Sequence, residues 1–131
     1  MKSDKKTNKT LQPLYEEIYD SGKEKFFIYD SNTLIQPILN LINLSGKDVV
    51  DIGCGEGNIS LEIATAAKSV RAYDYSQKAI ELAREKHLDI SSNLEFFVGS
   101  VEEIVGDFDV VMCLGTFEHL DNPWNALQYF Y

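Results

Sequence analysis

The stretch that decides the fold is VVDIGCGEGN, residues Val49 to Asn58. Three of its first four residues are β-branched, which favours a short buried strand. Glycines then occupy positions 53, 55 and 57, and an apolar-periodic segment follows. A strand that runs through a glycine-rich turn into a helix is how α/β proteins hold adenine nucleotides, because glycines let backbone N–H groups approach the ligand. The spacing is G-x-G-x-G, and Asn58 stands where a dinucleotide fingerprint has its third glycine.

Length and composition fit one ordinary globular domain. The chain has 131 residues, of which 44% are hydrophobic and 25% charged, enough for a buried core. No apolar run approaches the roughly 20 residues that span a bilayer. No N-terminal segment resembles a signal peptide, so we expect a cytoplasmic protein.

The net charge of −9 is unevenly distributed. Residues 1–10 carry four lysines against Asp4, and the rest of the chain holds 8 basic and 20 acidic side chains. An acidic body repels phosphate backbones, so nucleic acid is not the expected partner. The basic segment is interpreted as a disordered tail, with a binding arm as the alternative.

Two cysteines, Cys54 and Cys113, each fall at the predicted end of a strand. In a cytoplasmic α/β protein we expect them to be reduced, buried side chains. A redox pair is the alternative if the two strands are neighbours.

Two helices are predicted before the glycine turn. Apolar spacing indicates the first over residues 11–19, where Pro13 suits only a first turn. The second has an apolar face between Leu34 and Ile42, in which Pro37 favours a late start or a kink. The aromatic residues of this segment suggest that it could form a lid over a site.

From the glycine turn onward, strands alternate with helices. Ser76 is predicted to cap the helix after the second strand, and Pro123 to open the last helix. This alternation favours a parallel sheet with right-handed crossovers and helices on both faces. We therefore divide the chain into a tail (1–10), N-terminal helices (11–44) and an α/β domain (45–131). The four predicted strands are 48–52, 69–74, 94–98 and 108–114.

Asp74 closes the second predicted strand, 21 residues after Gly53. A carboxylate at about this spacing accepts hydrogen bonds from both ribose hydroxyls in nucleotide-binding α/β folds. The alternative is an Asp that caps the next helix, a task for which Ser76 is already suited. The glycine motif alone is weak, but the succession of strand, turn, helix, strand and Asp is much more specific.

Taken together, these motifs resemble those of the S-adenosylmethionine-dependent methyltransferases with a Rossmann-like sheet. DIGCGEG (51–57) is similar to the family's first motif, AYDYS (72–76) to its second, FFVGSV (96–101) to its third and FDVVMC (108–113) to its fourth. FEHLDNP (117–123) matches a loop found in many members that act on small molecules. The resemblance implies strand order 3-2-1-4, S-adenosylmethionine as cofactor and a small-molecule acceptor.

The resemblance also implies cofactor-binding roles. The backbone of the glycine turn, with Gly53, Cys54, Gly55 and Gly57, would pack against the methionine moiety and the ribose. Asp51 would hold that turn or the cofactor amino group. Asp74 would bind the ribose hydroxyls, and Tyr75 would lie against the adenine face.

The remaining implied residues follow the third and fourth strands. Ser100 and Val101 would border the adenine, and Cys113 and Leu114 would line the floor beside the sulfonium. The family often has Asp where Ser100 stands. A neutral hydroxyl accepts more weakly than a carboxylate, so we expect looser adenine recognition.

Methyl transfer from a sulfonium asks little covalent chemistry of the protein. Holding acceptor and methyl group in a near-attack geometry can supply ~7–11 kcal/mol. A base helps when the acceptor is a hydroxyl or an amine. His119 is the candidate, with Glu118 beside it; the alternative is that both side chains bond the loop backbone. No further cluster of metal ligands accompanies this pair, so we expect no metal.

The family's sheet usually has seven strands, and nothing after the fourth strand matches the fifth. We therefore expect that strand to be an exposed edge, and the chain to be the N-terminal part of a larger methyltransferase or to pair through this edge. Two other interpretations stay open: a module that binds the cofactor without catalysis, and an NAD-dependent oxidoreductase, against which Asn58 counts.

Overall fold

The computed structural model describes residues 8–22 and 31–130. Within these residues the strands alternate with helices as expected, and 3₁₀ turns lie at Val101–Glu103, Phe117–His119 and Leu127–Phe130. The elements are α1 (Asn8–Ser21), α2 (Ser31–Leu41), β1 (Asp48–Ile52), α3 (Asn58–Ala66), β2 (Ser69–Asp74), α4 (Gln77–Lys86), β3 (Leu94–Val98), β4 (Val110–Met112) and α5 (Pro123–Ala126).

The four strands form one parallel sheet in the order β3-β2-β1-β4, which confirms the predicted topology. Ile52 of β1 pairs with Tyr73 of β2, which pairs with Phe97 of β3, so the carboxyl ends of these strands lie at one edge. Strands β2 and β3 lie on one side of β1 and β4 lies on the other, so the strand order reverses at β1. Ligands of open α/β sheets bind outside the strand ends at such a reversal of strand order.

One face of the sheet is covered by α2, α3 and α4. The alternation of side chains along a strand places every second residue on this face, including Val49, Val70 and Met112. Ile35 of α2 and Ile63 of α3 are fully buried against them. Further along the same face, Ile80 and Ala83 of α4 pack against Ala72 and Phe96.

The opposite face is covered by shorter elements. Val50, Ile52 and Tyr73 pack with Val101 from the first 3₁₀ turn and Ala126 from α5. The predicted helices on both faces are thus confirmed, although this second layer consists of single turns and one short helix.

The N-terminal helices begin earlier than predicted. Helix α1 starts at Asn8, so residues 8–10 belong to the helix and not to the predicted tail, while residues 1–7 lie outside the described residues. Pro13 and Pro37 both stand inside helices, although the sequence placed the first in an opening turn. Each proline removes one backbone hydrogen bond. Packing of α1 on α4 and of α2 on α3 offsets that loss.

Strand β4 is shorter than predicted, covering Val110–Met112 in place of 108–114. Its ladder to β1 runs only from Val49↔Val110 to Asp51↔Met112. Since β4 has no partner on its other side in the described sheet, it is the expected edge strand. Among the described residues, no helix has both the length and the apolar character needed to cross a membrane.

Gly57 and Gly46 offer a matched test of how closely the glycine turn packs. Both have positive φ, 78° and 73°, but a Cβ on Gly57 would lie 2.4 Å from the Phe96 ring, whereas one on Gly46 would meet nothing within 4 Å. We expect Gly46→Ala to cost about 1–2 kcal/mol from backbone strain alone. Gly57→Ala should cost a further ~1–3 kcal/mol from overpacking. Urea unfolding measures both, and equal losses would contradict this packing.

Candidate functional site

A cavity of about 310 Å³ opens at the carboxyl ends of β1 and β2. This volume is at the lower end of the range for small-molecule sites. Its walls come from the glycine turn, the ends of β2 and β3, the loop after β4 and helix α1. The lining residues are Tyr15, Ile18, Tyr19, Ile52, Gly53, Cys54, Gly55, Glu56, Asn58, Ile59, Asp74, Tyr75, Gly99, Ser100, Val101, Leu114, Gly115, Thr116, His119 and Leu120.

The glycine turn is held against β2 by backbone hydrogen bonds. The N–H groups of Gly53 and Cys54 both donate to the Tyr73 carbonyl, at 2.7 and 3.0 Å. A Cβ on Gly53 would lie 2.1 Å from Thr116 Oγ1, so only glycine lets the loop after β4 come this close. Gly57 does not line the cavity; it precedes α3 in the left-handed conformation.

Asp74 lies at the cavity wall with 7% of its surface exposed. Its Oδ2 accepts from the Gly55 N–H and its Oδ1 from the Ser76 N–H, both at 2.9 Å. Burial raises the pKa of this carboxyl, and the two N–H groups oppose the rise. Ser76 in turn caps α4, accepting from the Ala79 N–H at 3.1 Å. The carboxylate therefore braces the turn and the start of α4 while it faces the cavity.

Asp51 lies beneath the cavity and does not line it. Its side chain is 3% exposed, and Oδ2 accepts a 2.6 Å hydrogen bond from the Ser60 hydroxyl. Burial raises the pKa of Asp51 to about 6, against the lowering effect of the Ser60 bond, and the Asp74 charge adds to the rise. Of the two roles that the resemblance implied, this position suits that of holding the turn.

Three residues that the resemblance placed near the adenine all line the cavity: Tyr75, Ser100 and Val101. The N–H and the hydroxyl of Ser100 both donate to Glu103 Oε2, at 2.7 and 3.1 Å. The hydroxyl proton is thus engaged in the capping box that Ser100 forms with Glu103. A hydroxyl oxygen in this state can still accept a hydrogen bond.

Beyond β4 the structure separates two residues that the resemblance had placed together. Leu114 lines the cavity, but Cys113 does not, because neighbouring residues of an extended chain point to opposite faces. Cys113 packs against the cluster of Val50 and Ile52, and burial raises its pKa to about 11. Its place beside the sulfonium stays a prediction. Cys54 and Cys113 are both free thiols.

His119 lines the cavity with about half of its side chain exposed. Its Nε2 lies 3.8 Å from Glu118 Oε1. Within the described part of the chain, neither side chain forms a hydrogen bond to the loop backbone. The geometry therefore does not support the alternative that this pair only stabilises the loop. Across residues 8–22 and 31–130, no group of three or more metal-ligating side chains comes together.

Helix α1 forms one wall of the cavity, in the region where the sequence suggested a lid without indicating which residues would line the site. Tyr15, Ile18 and Tyr19 all line it, and Tyr15 packs against Tyr75 with ring centroids 5.7 Å apart. Gln12 Nε2 donates to the Tyr75 carbonyl at 2.9 Å. The i, i+4 spacing of the two tyrosines predicted an apolar helix face, but no local signal says which surface such a face covers. Residues 23–30, which include Phe26, Phe27 and Tyr29, lie outside the described residues.

Residues 49–131 match the family model described as "Methyltransferase domain". The chain belongs to the class I S-adenosylmethionine-dependent methyltransferases. A "Ubiquinone biosynthesis O-methyltransferase" of Dechloromonas aromatica is 36% identical over 83% of this chain and 49% of its own length. The chain spans between about a third and a half of the curated methyltransferases that it matches.

Solved structures share the fold of this methyltransferase chain at lower identity. Magnesium protoporphyrin IX methyltransferase from Synechocystis PCC 6803, crystallised with bound S-adenosylmethionine, has a TM-score of 0.74 and 19% identity, covering 98% of this chain and 69% of its own. The [4+2]-cyclase SpnF has a TM-score of 0.79 and 15% identity, over 95% and 55%. The fold is therefore that of the family, and it accommodates more than one chemistry.

The buried Asp51 predicts a pH dependence of stability. Below pH ~4 the carboxyl is protonated in the folded and the unfolded chain alike, because an unfolded Asp has a pKa of about 3.9. Between pH 4 and 6 only the folded chain retains the proton, so raising the pH destabilises the fold. The pKa difference contributes up to about 3 kcal/mol to the free energy of unfolding at low pH, and this contribution is lost as the pH passes 6.

Asp51→Asn should remove this dependence while still accepting from Ser60. Chemical denaturation at pH 4, 5, 6 and 7 would show the variant gaining stability relative to wild type as the pH rises. The exposed Asp107 provides the matched control, Asp107→Asn. Parallel curves for wild type and Asp51→Asn would rule out a buried carboxyl with a raised pKa.

Proposed function

We propose that this chain binds S-adenosylmethionine in the cavity at the end of β1 and that the protein transfers its methyl group to a small-molecule acceptor. The observation that carries the proposal is the placement of Asp74: a buried carboxylate beside a glycine turn at the reversal of strand order. The family membership and the match of residues 49–131 support it.

The residues present fit the cofactor. A carboxylate has about four lone-pair sites, of which Asp74 uses one on each oxygen for the Gly55 and Ser76 N–H groups, leaving one on each for two ribose hydroxyls. Gly53 has no side chain, so the backbone of the turn would contact the methionine moiety of the cofactor directly. Tyr75, Ser100 and Val101 would border the adenine, and Leu114 the sulfur.

The charge around the cavity also suits a cationic donor. Asp51, Asp74 and Glu56 lie at or beneath its walls, and burial of the two Asp carboxylates reduces their screening by water. When bound, the sulfonium supplies an already activated methyl group. The chain's own contribution is to orient the donor and to exclude water from the reacting atoms.

For the acceptor we propose a hydroxyl group on a small molecule. The support is the O-methyltransferase name of the Dechloromonas relative, which is 36% identical. His119 at the cavity rim would take the hydroxyl proton on an imidazole nitrogen as the oxygen attacks, and Glu118 at 3.8 Å would stabilise the imidazolium. The cytoplasmic location, the absence of nucleic-acid partners and pairing through the β4 edge stay predictions.

The alternative is a module that binds the cofactor without transferring its methyl group. Its specific support is the likeness in fold to a [4+2]-cyclase, since that fold also serves a protein with another named reaction.

Calorimetric titration of the 131-residue chain with S-adenosylhomocysteine tests the proposal. We expect one binding site per chain, and no binding of NAD, because Asn58 replaces the third glycine of the dinucleotide motif. Transfer of a labelled methyl group to phenolic acceptors then separates enzyme from module: binding without transfer favours the module. A chain that binds NAD and not S-adenosylhomocysteine contradicts the proposal outright.

A further inference from the structure

The first turn of α4 is capped by a residue 61 positions earlier in the chain. Glu16 of α1 accepts from the Gln77 N–H through Oε1 at 2.7 Å and from the Lys78 N–H through Oε2 at 3.1 Å. These are the first two N–H groups of the helix, which have no partner inside it. A carboxylate here also interacts favourably with the positive end of the helix dipole.

The other two free N–H groups of this turn are satisfied locally. Ser76 Oγ accepts from the Ala79 N–H at 3.1 Å, and the Ser76 N–H donates to Asp74 Oδ1 at 2.9 Å. All four donors therefore have partners, and only the two bound by Glu16 depend on a distant segment. The side chain of Glu16 thus ties α1 to the element that follows Asp74.

Helix α1 carries aromatic side chains over the cavity as a result. Tyr15 lies one residue before Glu16, with its ring against Tyr75. Tyr19 lies three residues after it, close enough to the glycine turn that a Cβ on Gly55 would be 2.7 Å from the Tyr19 hydroxyl. A rotation or shift of α1 would move both tyrosines, because they share its rigid backbone.

Two weaker contacts accompany the Glu16 cap. Gln12 donates to the Tyr75 carbonyl at 2.9 Å, and the exposed Asp20 lies 3.9 Å from Lys78 Nζ. An exposed ion pair contributes little. The double hydrogen bond of Glu16, charged and directed at two backbone donors, is the stronger fixed point of the α1–α4 contact.

We infer that Glu16 is a positioning residue for cofactor binding: by capping α4 it holds α1, and with it Tyr15 and Tyr19, over the cavity. The inference rests on the proposed function, since it assumes that S-adenosylmethionine occupies this cavity. Glu16 itself does not line the cavity. Its effect on binding passes through the two tyrosines and the geometry at Tyr75.

The test compares Glu16→Ala and Glu16→Gln with Glu17→Ala in the 131-residue chain. Glu17 is the matched control, an exposed glutamate on the same helix. Glu16→Ala should raise the Kd for S-adenosylhomocysteine by about tenfold, the factor that corresponds to loss of a typical helix cap. The change should lie mainly in a faster dissociation rate. Glu16→Gln retains an acceptor oxygen and should fall between Ala and wild type.

Hydrogen exchange provides the second readout. The amides of Gln77 and Lys78 should exchange faster in Glu16→Ala and at the wild-type rate in Glu17→Ala. Faster exchange with an unchanged Kd would make Glu16 a structural cap only and overturn the inference. So would an equal loss of affinity in Glu17→Ala. If Glu16→Ala does not fold, Glu16→Gln decides on the same criteria.

The outcomes also separate this inference from the proposed function. Wild-type protein that binds no S-adenosylhomocysteine overturns the proposed function, and the inference with it. Wild-type protein that binds, together with Glu16 variants of unchanged affinity, overturns the inference alone.

Discussion

The carboxylate of Asp74 is the point on which the site depends. It bonds the Gly55 N–H on one side and the Ser76 N–H on the other, both at 2.9 Å, and so joins the turn after β1 to the turn after β2. Without such an acceptor, the buried Ser76 N–H would be left without a partner at a cost of about 1–3 kcal/mol, and the partly buried Gly55 N–H would lose its partner as well. The same carboxylate faces the cavity. Asp74 can therefore brace both turns and also take the proposed role at the ribose.

Several carboxylates lie close to one another around the buried Asp74. Asp51 lies beneath it, bonded only to Ser60 among the described residues, and Glu16 approaches from α1. Buried carboxylates cost stability unless hydrogen bonds or a counter-charge compensate. Hydrogen bonds do so partly here, and a bound sulfonium would complete the compensation. Because these carboxylates repel one another, we expect the site to bind a cationic ligand more tightly than a neutral analogue.

The sequence predicted the central layer of the fold well and the periphery less well. The bounds of β1, β2 and β3 agree with the prediction, because each is a short segment containing β-branched or aromatic residues and bounded by turn or capping residues. The edge strand β4 is shorter than predicted. The apolar residues beside it pack against the second face of the sheet without pairing with β1. The interior prolines, Pro13 and Pro37, show tertiary packing overriding a local rule.

Among the site residues chosen from the motifs, several lie together at one cavity, because the register of the parallel strands places their carboxyl ends side by side. They are Gly53, Asp74, Tyr75, Ser100 and Leu114. Cys113, named from the same motif as Leu114, does not line this cavity. The Glu16 cap could not be predicted, because a hydrogen bond between residues 61 positions apart produces no periodic pattern in the sequence. The sequence suggested a lid for the N-terminal helices, but it could not say which residues of α1 line the cavity.

The most direct measurement of the account is the affinity of Asp74→Ala for S-adenosylhomocysteine, by calorimetry, alongside a thermal melt. Loss of two hydrogen bonds to a charged acceptor should raise the Kd by about ten- to a hundredfold or more. An unchanged Kd, in a variant that melts cooperatively, would contradict the placement of the ribose at the end of β2.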